Sequence, residues 1–210
     1  MTEVDGVSDT MRLFFAIAIP DEVAEGVLRA QDYLQRRMAC PTIRWARRDQ
    51  FHYTVKFLGE QPMPKARKAV EAAERVCEVT RPFVLTLDGI GAFPSRQRPS
   101  VLWIGASAGA AEFAALARSL DDALARERFR KETREPSAHL TIARLKTYEA
   151  EAAAAKGLAT AQVGEIGSLT ADHLVLMRSL LRPTGSEYAV VERFPFKAKP
   201  NPACDGPALR

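Results

Sequence analysis

The amino-acid sequence predicts an α+β fold with largely antiparallel sheets. Three features support this class. Strand-like and helix-like hydrophobic patterns interleave along the chain, many strand patterns are joined by short turns, and no linker-like stretch cuts the middle. The 210 residues, 47% hydrophobic and 27% charged, suit one domain or two small lobes sharing a core, and exclude a disordered or low-complexity chain.

Each element has its own local pattern. Residues 12–19 (RLFFAIAI) form a short apolar run closed by Pro20, a buried strand. Asp21 is the expected N-cap of a helix to about Met38, with Val23, Val27, Leu28 and Leu34 on one face. Residues 43–45 make a strand piece, and Asp49-Gln50 a turn. Residues 51–58 (FHYTVKFL) are β-branched and aromatic, hence a strand ending at Gly59. Pro62 and Pro64 open a helix whose buried side carries Val70, Val76 and Cys77. Residues 83–90 alternate as a strand, after which residues 91–100 read as a loop bearing Arg96 and Arg98. A strand over 101–104 precedes an Ala/Leu-rich helix from Ala110 to about Arg128. A charge-rich turn over 126–135 leads to a strand over 138–145 (AHLTIARL), and a short helix covers 149–158. One long strand is expected over roughly 171–180, then a turn at 183–186 and a last strand over 187–194, as a hairpin. Residues 1–10 and 198–210 read as tails around a single domain over 11–197.

Composition narrows the function classes. No apolar run approaches the ~18 residues of a membrane helix, and residues 1–10 are acidic without an apolar segment, so neither a transmembrane span nor a secretory signal is expected. Cys40, Cys77 and Cys204 are few, odd in number and widely spaced, which argues against a disulfide framework and for a reducing cytoplasm. The net charge of +4 permits an anionic ligand without requiring one.

The informative feature is an internal repeat. Residues 52–58 read His52-Tyr53-Thr54-Val55-Lys56-Phe57-Leu58, and residues 139–145 read His139-Leu140-Thr141-Ile142-Ala143-Arg144-Leu145. Both run His, bulky apolar, Thr, β-branched, two variable residues, Leu. With 12 Thr and three His in the chain, two His-x-Thr arising by chance is roughly a 1% event. In a strand, positions i and i+2 share a face about 6.6 Å apart. His52 with Thr54, and His139 with Thr141, therefore each present an imidazole and a hydroxyl to one side. Two such strands set together make a groove suited to phosphoryl chemistry. One imidazole takes a proton from the attacking oxygen, the other gives one to the leaving oxygen, and the hydroxyls hold the non-bridging oxygens. A lone strand histidine is ordinarily structural; the matched pair is not. A zinc site would need further ligands, and only His173 and scattered carboxylates remain. His173 has Val175, not Thr, at +2 and reads as structural or surface. No cofactor or metal is expected.

These motifs resemble the 2H phosphoesterase superfamily. The surrounding segments Arg12-Leu13-Phe14-Phe15-Ala16-Ile17, Ile43-Arg44-Trp45, Lys56-Phe57-Leu58-Gly59-Glu60, Gly91-Ala92-Phe93-Pro94, Val101-Leu102-Trp103 and Thr141-Ile142-Ala143-Arg144 are similar to its RNA 2′,3′-cyclic phosphodiesterase (2′-5′ RNA ligase) family, over residues 11–197. The resemblance implies a bilobal fold, two pseudo-symmetric lobes with antiparallel sheets lining a central cleft and helices outside. It implies metal-independent hydrolysis of an RNA terminal 2′,3′-cyclic phosphate to a 2′-phosphate, with reversible 2′-5′ ligation as the family's other activity. It also implies that His52 protonates the departing 3′ oxygen, His139 activates water, and Thr54 and Thr141 hold the phosphate. Here Pro136 is followed by Ser137-Ala138, whereas relatives often place Pro directly before the second His.

Further residues carry open readings. Phe14 shares a strand face with Arg12, Ala16 and Ala18, and either stacks on a terminal base or fills the core. Arg144 contacts the phosphate by resemblance, although simple alternation puts it opposite His139 unless the strand bulges. Lys56 shares the His52 face by alternation and meets RNA backbone or solvent. Tyr188 either stacks on a base or packs in the core, and Trp45 and Trp103 read as core. Arg44, Arg47 and Arg48 form a basic cluster, either a solvated loop or an RNA-backbone contact. The expected partner is RNA with a 2′,3′-cyclic phosphate end, such as a tRNA fragment, or another small cyclic phosphate, met by a monomer. A 2H phosphoesterase on a 2′-5′ oligonucleotide and a non-catalytic RNA-end-binding module are the alternatives.

Overall fold

The computed structural model describes residues 10–182 and 185–198. Of the tails expected over 1–10 and 198–210, residues 1–9 and 199–210 lie outside the described residues, as does the first half of the turn at 183–186, while Thr10 already belongs to β1. Among the described residues, nine strands and four α-helices run in the order β1 (Thr10–Ala18), α1 (Asp21–Met38), β2 (Arg44–Trp45), β3 (His52–Pro62), α2 (Met63–Val79), β4 (Phe83–Pro94), β5 (Pro99–Ala108), α3 (Ala110–Arg126), β6 (Leu140–Arg144), α4 (Tyr148–Thr160), β7 (Glu165–Ala171), β8 (His173–Arg182) and β9 (Gly185–Pro195). A 3₁₀ turn, Arg48–Gln50, stands where the sequence predicts a turn.

All strand pairs are antiparallel, in the order β7-β4-β5-β6-β3-β1-β8-β9, with β2 attached to β6. Two four-stranded lobes, β3-β1-β8-β9 and β6-β5-β4-β7, meet at the β3–β6 seam. The seam is a single Cα pair, Tyr53 with Leu140. These residues occupy the same position in the two motifs, so a local twofold axis passes between them. The two halves of the chain exchange strands. β4 of the first half pairs with β5 of the second, and β8 of the second pairs with β1 of the first. Helices take part in the exchange: α1 packs on β7 and α4, while α2 packs on α3 and on β1, β3, β8 and β9.

Between helices and sheet lies one large core, including Leu13, Phe15, Ile17, Leu34, Leu102, Ile104, Leu120 and Leu124. A small second cluster of Phe14, Ala16, Val175 and Met177 covers the opposite face of the first lobe, with Ala18 and Tyr188 against it. No helix among the described residues is long and apolar enough to cross a membrane.

Three local expectations are corrected. Asp21 is the first residue of α1 rather than its cap; Pro20 holds that position without a side-chain bond. Residues 91–94 continue β4 rather than opening a loop, because Gly91 to Phe93 pair with Trp103 to Val101, and Pro94 with Pro99, across the hairpin. Residues 165–171 form a separate strand, β7, which the sequence does not announce. Its burial alternates only at the end, Leu169 and Ala171 around exposed Thr170, while Glu165 to Ser168 show no period-2 pattern.

Candidate active site

The four motif residues sit on one face of the seam. Extending the Tyr53–Leu140 register by one residue each way sets His52 across from Thr141 and Thr54 across from His139. The local environments match. His52 Nδ1 lies 2.8 Å from the Gln50 carbonyl, and His139 Nδ1 lies 2.8 Å from the Ser137 carbonyl. A carbonyl only accepts, so each Nδ1 carries hydrogen and each neutral ring keeps an unprotonated Nε2. Among the described residues neither Nε2 and neither Thr hydroxyl is engaged by a protein partner. The departure at Ser137-Ala138 leaves the histidine anchored as in the first motif.

Each imidazole is braced by aromatic rings. Tyr188 meets His52 edge-on at 5.1 Å and 90°, and Phe93 meets His139 edge-on at 5.1 Å and 89°. Phe14 packs beneath His52 at 4.9 Å. Phe14 does lie on the groove side of β1, but at 1% exposure, covered by His52, Phe57 and Tyr188, it has no open face for a base. It supports the imidazole instead. Phe57, resting on Phe14 at 5.5 Å, is 62% exposed. Trp103, expected in the core, pairs with Thr141 and so shares its face. Its indole covers Gly91, where a Cβ would fall 2.1 Å from the ring, and its buried Nε1 has no hydrogen-bond partner among the described residues.

Bulges at equivalent points set the side-chain directions beyond each threonine. In β3 the register passes from Thr54 to Lys56, leaving Val55 unpaired; in β6 it passes from Thr141 to Ala143, leaving Ile142 unpaired. An extra residue reverses the alternation beyond it. Lys56 therefore turns away from the groove into the core, where its Nζ donates to Asp121 at 2.5 Å and to the Arg130 carbonyl at 3.0 Å. This overturns both readings of Lys56, the RNA-backbone contact and the solvent-exposed side chain. The same reversal brings Arg144, and at the matching position Phe57, to the groove side.

Burial and this cation set the electrostatics. Burial lowers His52 from 6.5 to about 4; the Gln50 carbonyl opposes the shift, while His139 and Arg144 add to it. His139 is also lowered, by burial first and then by Arg144, against the Ser137 carbonyl. Of the basic cluster, Arg47 is paired with Asp49, and Arg48 with Asp21 and Glu25. Arg44 alone of the three has no ion pair among the described residues. His173 lies outside the site, at the start of β8, bonded to Asp172 at 2.5 Å. Among the described residues no group of three or more His, Cys, Asp or Glu could hold a metal ion.

Comparison with known proteins agrees with this geometry. The model of the LigT-like phosphoesterases matches twice, over residues 17–103 and 104–188. The chain belongs to that family. It is an enzyme, a phosphoesterase of the hydrolase class. It is 29% identical over 184 residues to a Methanocaldococcus jannaschii protein named RNA 2′,3′-cyclic phosphodiesterase, covering 88% of this chain and all of that one. It is 31% identical over 179 residues to an Archaeoglobus fulgidus protein of the same name, covering 85% and 96%. Among solved structures, a Thermus thermophilus protein superposes with a TM-score of 0.74 at 26% identity, over 90% of this chain and 100% of that one. LigT of E. coli, complexed with ATP, superposes with a TM-score of 0.70 at 25% identity, over 90% and 99%. The double match identifies two LigT-like repeats, in keeping with the two lobes of the fold.

The sequence missed Phe93, read as loop, and Phe57, left without a role. Phe57 was reachable by aligning the motifs beyond Thr, since Phe57 and Arg144 stand at the same offset from their histidines; Phe93, on β4 outside both motifs, was not.

Proposed function

We propose that this protein hydrolyses the terminal 2′,3′-cyclic phosphate of RNA to a 2′-phosphate, without a metal. The observation that carries the reading is the pair of His-x-Thr motifs across a twofold seam, with both Nε2 atoms unspent. The names of the family relatives support the substrate. In the proposed step, water attacks phosphorus opposite O3′, and the P–O3′ bond breaks. His139 Nε2 takes the proton of the water, and His52 Nε2–H gives a proton to O3′. Thr54, Thr141 and Arg144 hold the non-bridging oxygens, where negative charge is fixed. With an RNA 5′-hydroxyl in place of water the same step forms a 2′-5′ linkage.

His52 must be protonated to act as acid, although its free-state value is about 4. The substrate supplies the difference. An anion ~4 Å from an imidazolium contributes about 4 kcal/mol at an effective dielectric of ~20, or about three pKa units.

The deciding experiment replaces the leaving 3′ oxygen by sulfur, because a thiolate departs without protonation. With ordinary substrate, His52→Ala and His139→Ala each lower kcat by ~10²–10⁴ with RNA-end binding largely kept. With the sulfur substrate, His52→Ala regains most of its rate and His139→Ala does not. Rescue of His139→Ala instead would reverse the two roles, and unchanged turnover in either variant would refute the paired scheme. Activity persists in excess chelator; its loss there would end the metal-free reading.

A further inference from the structure

Two arginines at the rim of the groove stand side by side. In the β2–β6 pair Arg44 is the direct partner of Arg144, and Trp45 of Ala143. Trp45 and Ala143 pack on the main core, so Arg44 and Arg144 project to the opposite, groove face. Both are exposed. Like charges directly opposite on neighbouring strands repel, and a protein ordinarily relieves this with a carboxylate. Here the relief goes elsewhere: Asp49 to Arg47, and Asp21 and Glu25 to Arg48. Among the described residues neither Arg44 nor Arg144 has an ion pair or hydrogen bond. Folding gains nothing from this juxtaposition, whereas an anion crossing it gains both charges.

The site itself identifies the anion. Arg144 is the nearer cation, since its charge reaches both His52 and His139. Arg44 lies one strand further out, about 4.8 Å along the sheet. A terminal cyclic phosphate has RNA on its 5′ side only, so the next negative charge is the internucleotide phosphate. We propose that Arg44, beside Arg144, forms a second phosphate subsite for that internucleotide phosphate, so that the enzyme prefers RNA ends of two or more nucleotides to mononucleotide cyclic phosphates. The subsite deepens the proposed function and rests on it. β2 is a two-residue strand off the main sheet order, which leaves the chain beyond the subsite a path to solvent.

The test compares kcat/KM for a mononucleotide 2′,3′-cyclic phosphate, for a dinucleotide with the same terminal nucleotide, and for that dinucleotide with an uncharged methylphosphonate linkage. The charged dinucleotide is favoured about tenfold, the worth of one charge-assisted contact. That advantage falls to near one for the methylphosphonate, and likewise in Arg44→Ala and Arg44→Gln, while Arg44→Lys keeps part of it. Arg47→Ala, whose guanidinium is already paired, retains it. The salt slope of log kcat/KM for the charged dinucleotide becomes shallower by about 0.7 in Arg44→Ala. Equal losses on mono- and dinucleotide, or an advantage that survives Arg44→Ala, would overturn the subsite. Calorimetric affinities for 3′-phosphorylated mono- and dinucleotides are measured alongside. If neither cyclic substrate is opened, the proposed reaction fails, and the subsite then stands or falls on whether Arg44→Ala removes the dinucleotide's affinity advantage.

Discussion

His52 shows how much one side chain carries. Its Nδ1–H is tied to a carbonyl two residues earlier, so the ring is fixed in orientation and tautomer, and burial holds it neutral down to about pH 4. Two outcomes are expected in the kinetics. The free enzyme has both imidazoles lowered, so the bell of kcat/KM lies on the acid side of the ordinary imidazole range. The bound phosphate raises them, so the bell of kcat lies at higher pH; coincident bells would show that the anion does not tune the site. Stability is linked as well. Between 6.5, the unfolded value, and about 4, the folded one, the unfolded chain binds the extra proton. The contribution of neutral His52 is thus complete above pH 6.5 and is lost as pH falls through 4, about 3 kcal/mol in all. In urea titrations at pH 7.5 and 4, His52→Gln loses less stability on acidification than the native protein by that amount. Gly91 is a second sensitive point. A Cβ there would lie 2.1 Å from the Trp103 ring, so Gly91→Ala costs about 1–3 kcal/mol by overpacking and lowers kcat, because the displaced indole pushes on Phe93 and, through it, His139.

At the scale of elements, paired bulges turn a repeated sequence into an asymmetric site. Each motif strand gains one unpaired residue after Thr, which sends the next side chain to the core and the one after to the groove. In β6 those two are Ala143 and Arg144; in β3 they are Lys56 and Phe57. Lys56 then forms a buried pair with Asp121 of α3, whose carboxylate also accepts from the Glu132 amide at 3.1 Å. The pair joins β3 to α3 and to the segment leading toward His139. Lys56→Met leaves Asp121 buried and unpaired and costs about 3–5 kcal/mol, while Lys56→Met with Asp121→Leu recovers most of it. Urea midpoints of the two variants decide this; a single variant as stable as the native protein would show that the pair is not desolvated.

For the whole molecule, strand exchange removes any line along which the two halves could separate. The first half supplies β4 and β2 to the second lobe, and the second half supplies β8 and β9 to the first. Unfolding is therefore one cooperative transition, with tryptophan fluorescence and far-UV circular dichroism coincident. Trp45 and Trp103, on strands beside β6, report on the second lobe, whereas circular dichroism reports on both. Residues 1–96 and 97–210 expressed separately remain unfolded, and mixing them restores dichroism. Two separated transitions, or a folded half, would contradict this.

The catalytic groups were legible in the order of amino acids alone. His52, Thr54, His139 and Thr141 stand out because a period of two fixes which side chains share a face, whatever the strands pair with. The interleaved patterns likewise gave away the α+β class and the place of most elements. The remainder needed the folded molecule. Which way Lys56 and Arg144 point depends on bulges that exist only against a partner strand. That Phe14 is covered depends on rings from β3 and β9, far away in the chain. The edge strand β7 and the end of β4 take their form from pairing: β7 buries only Leu169 and Ala171, and Gly91-Ala92-Phe93-Pro94 reads as turn-forming until β5 pairs with it. The neutralisation of Arg47 and Arg48, which singles out Arg44, depends on where α1 and the 3₁₀ turn come to rest. Face and residue type are local properties of a strand, whereas pairing, burial and charge balance are set by neighbours that only folding supplies.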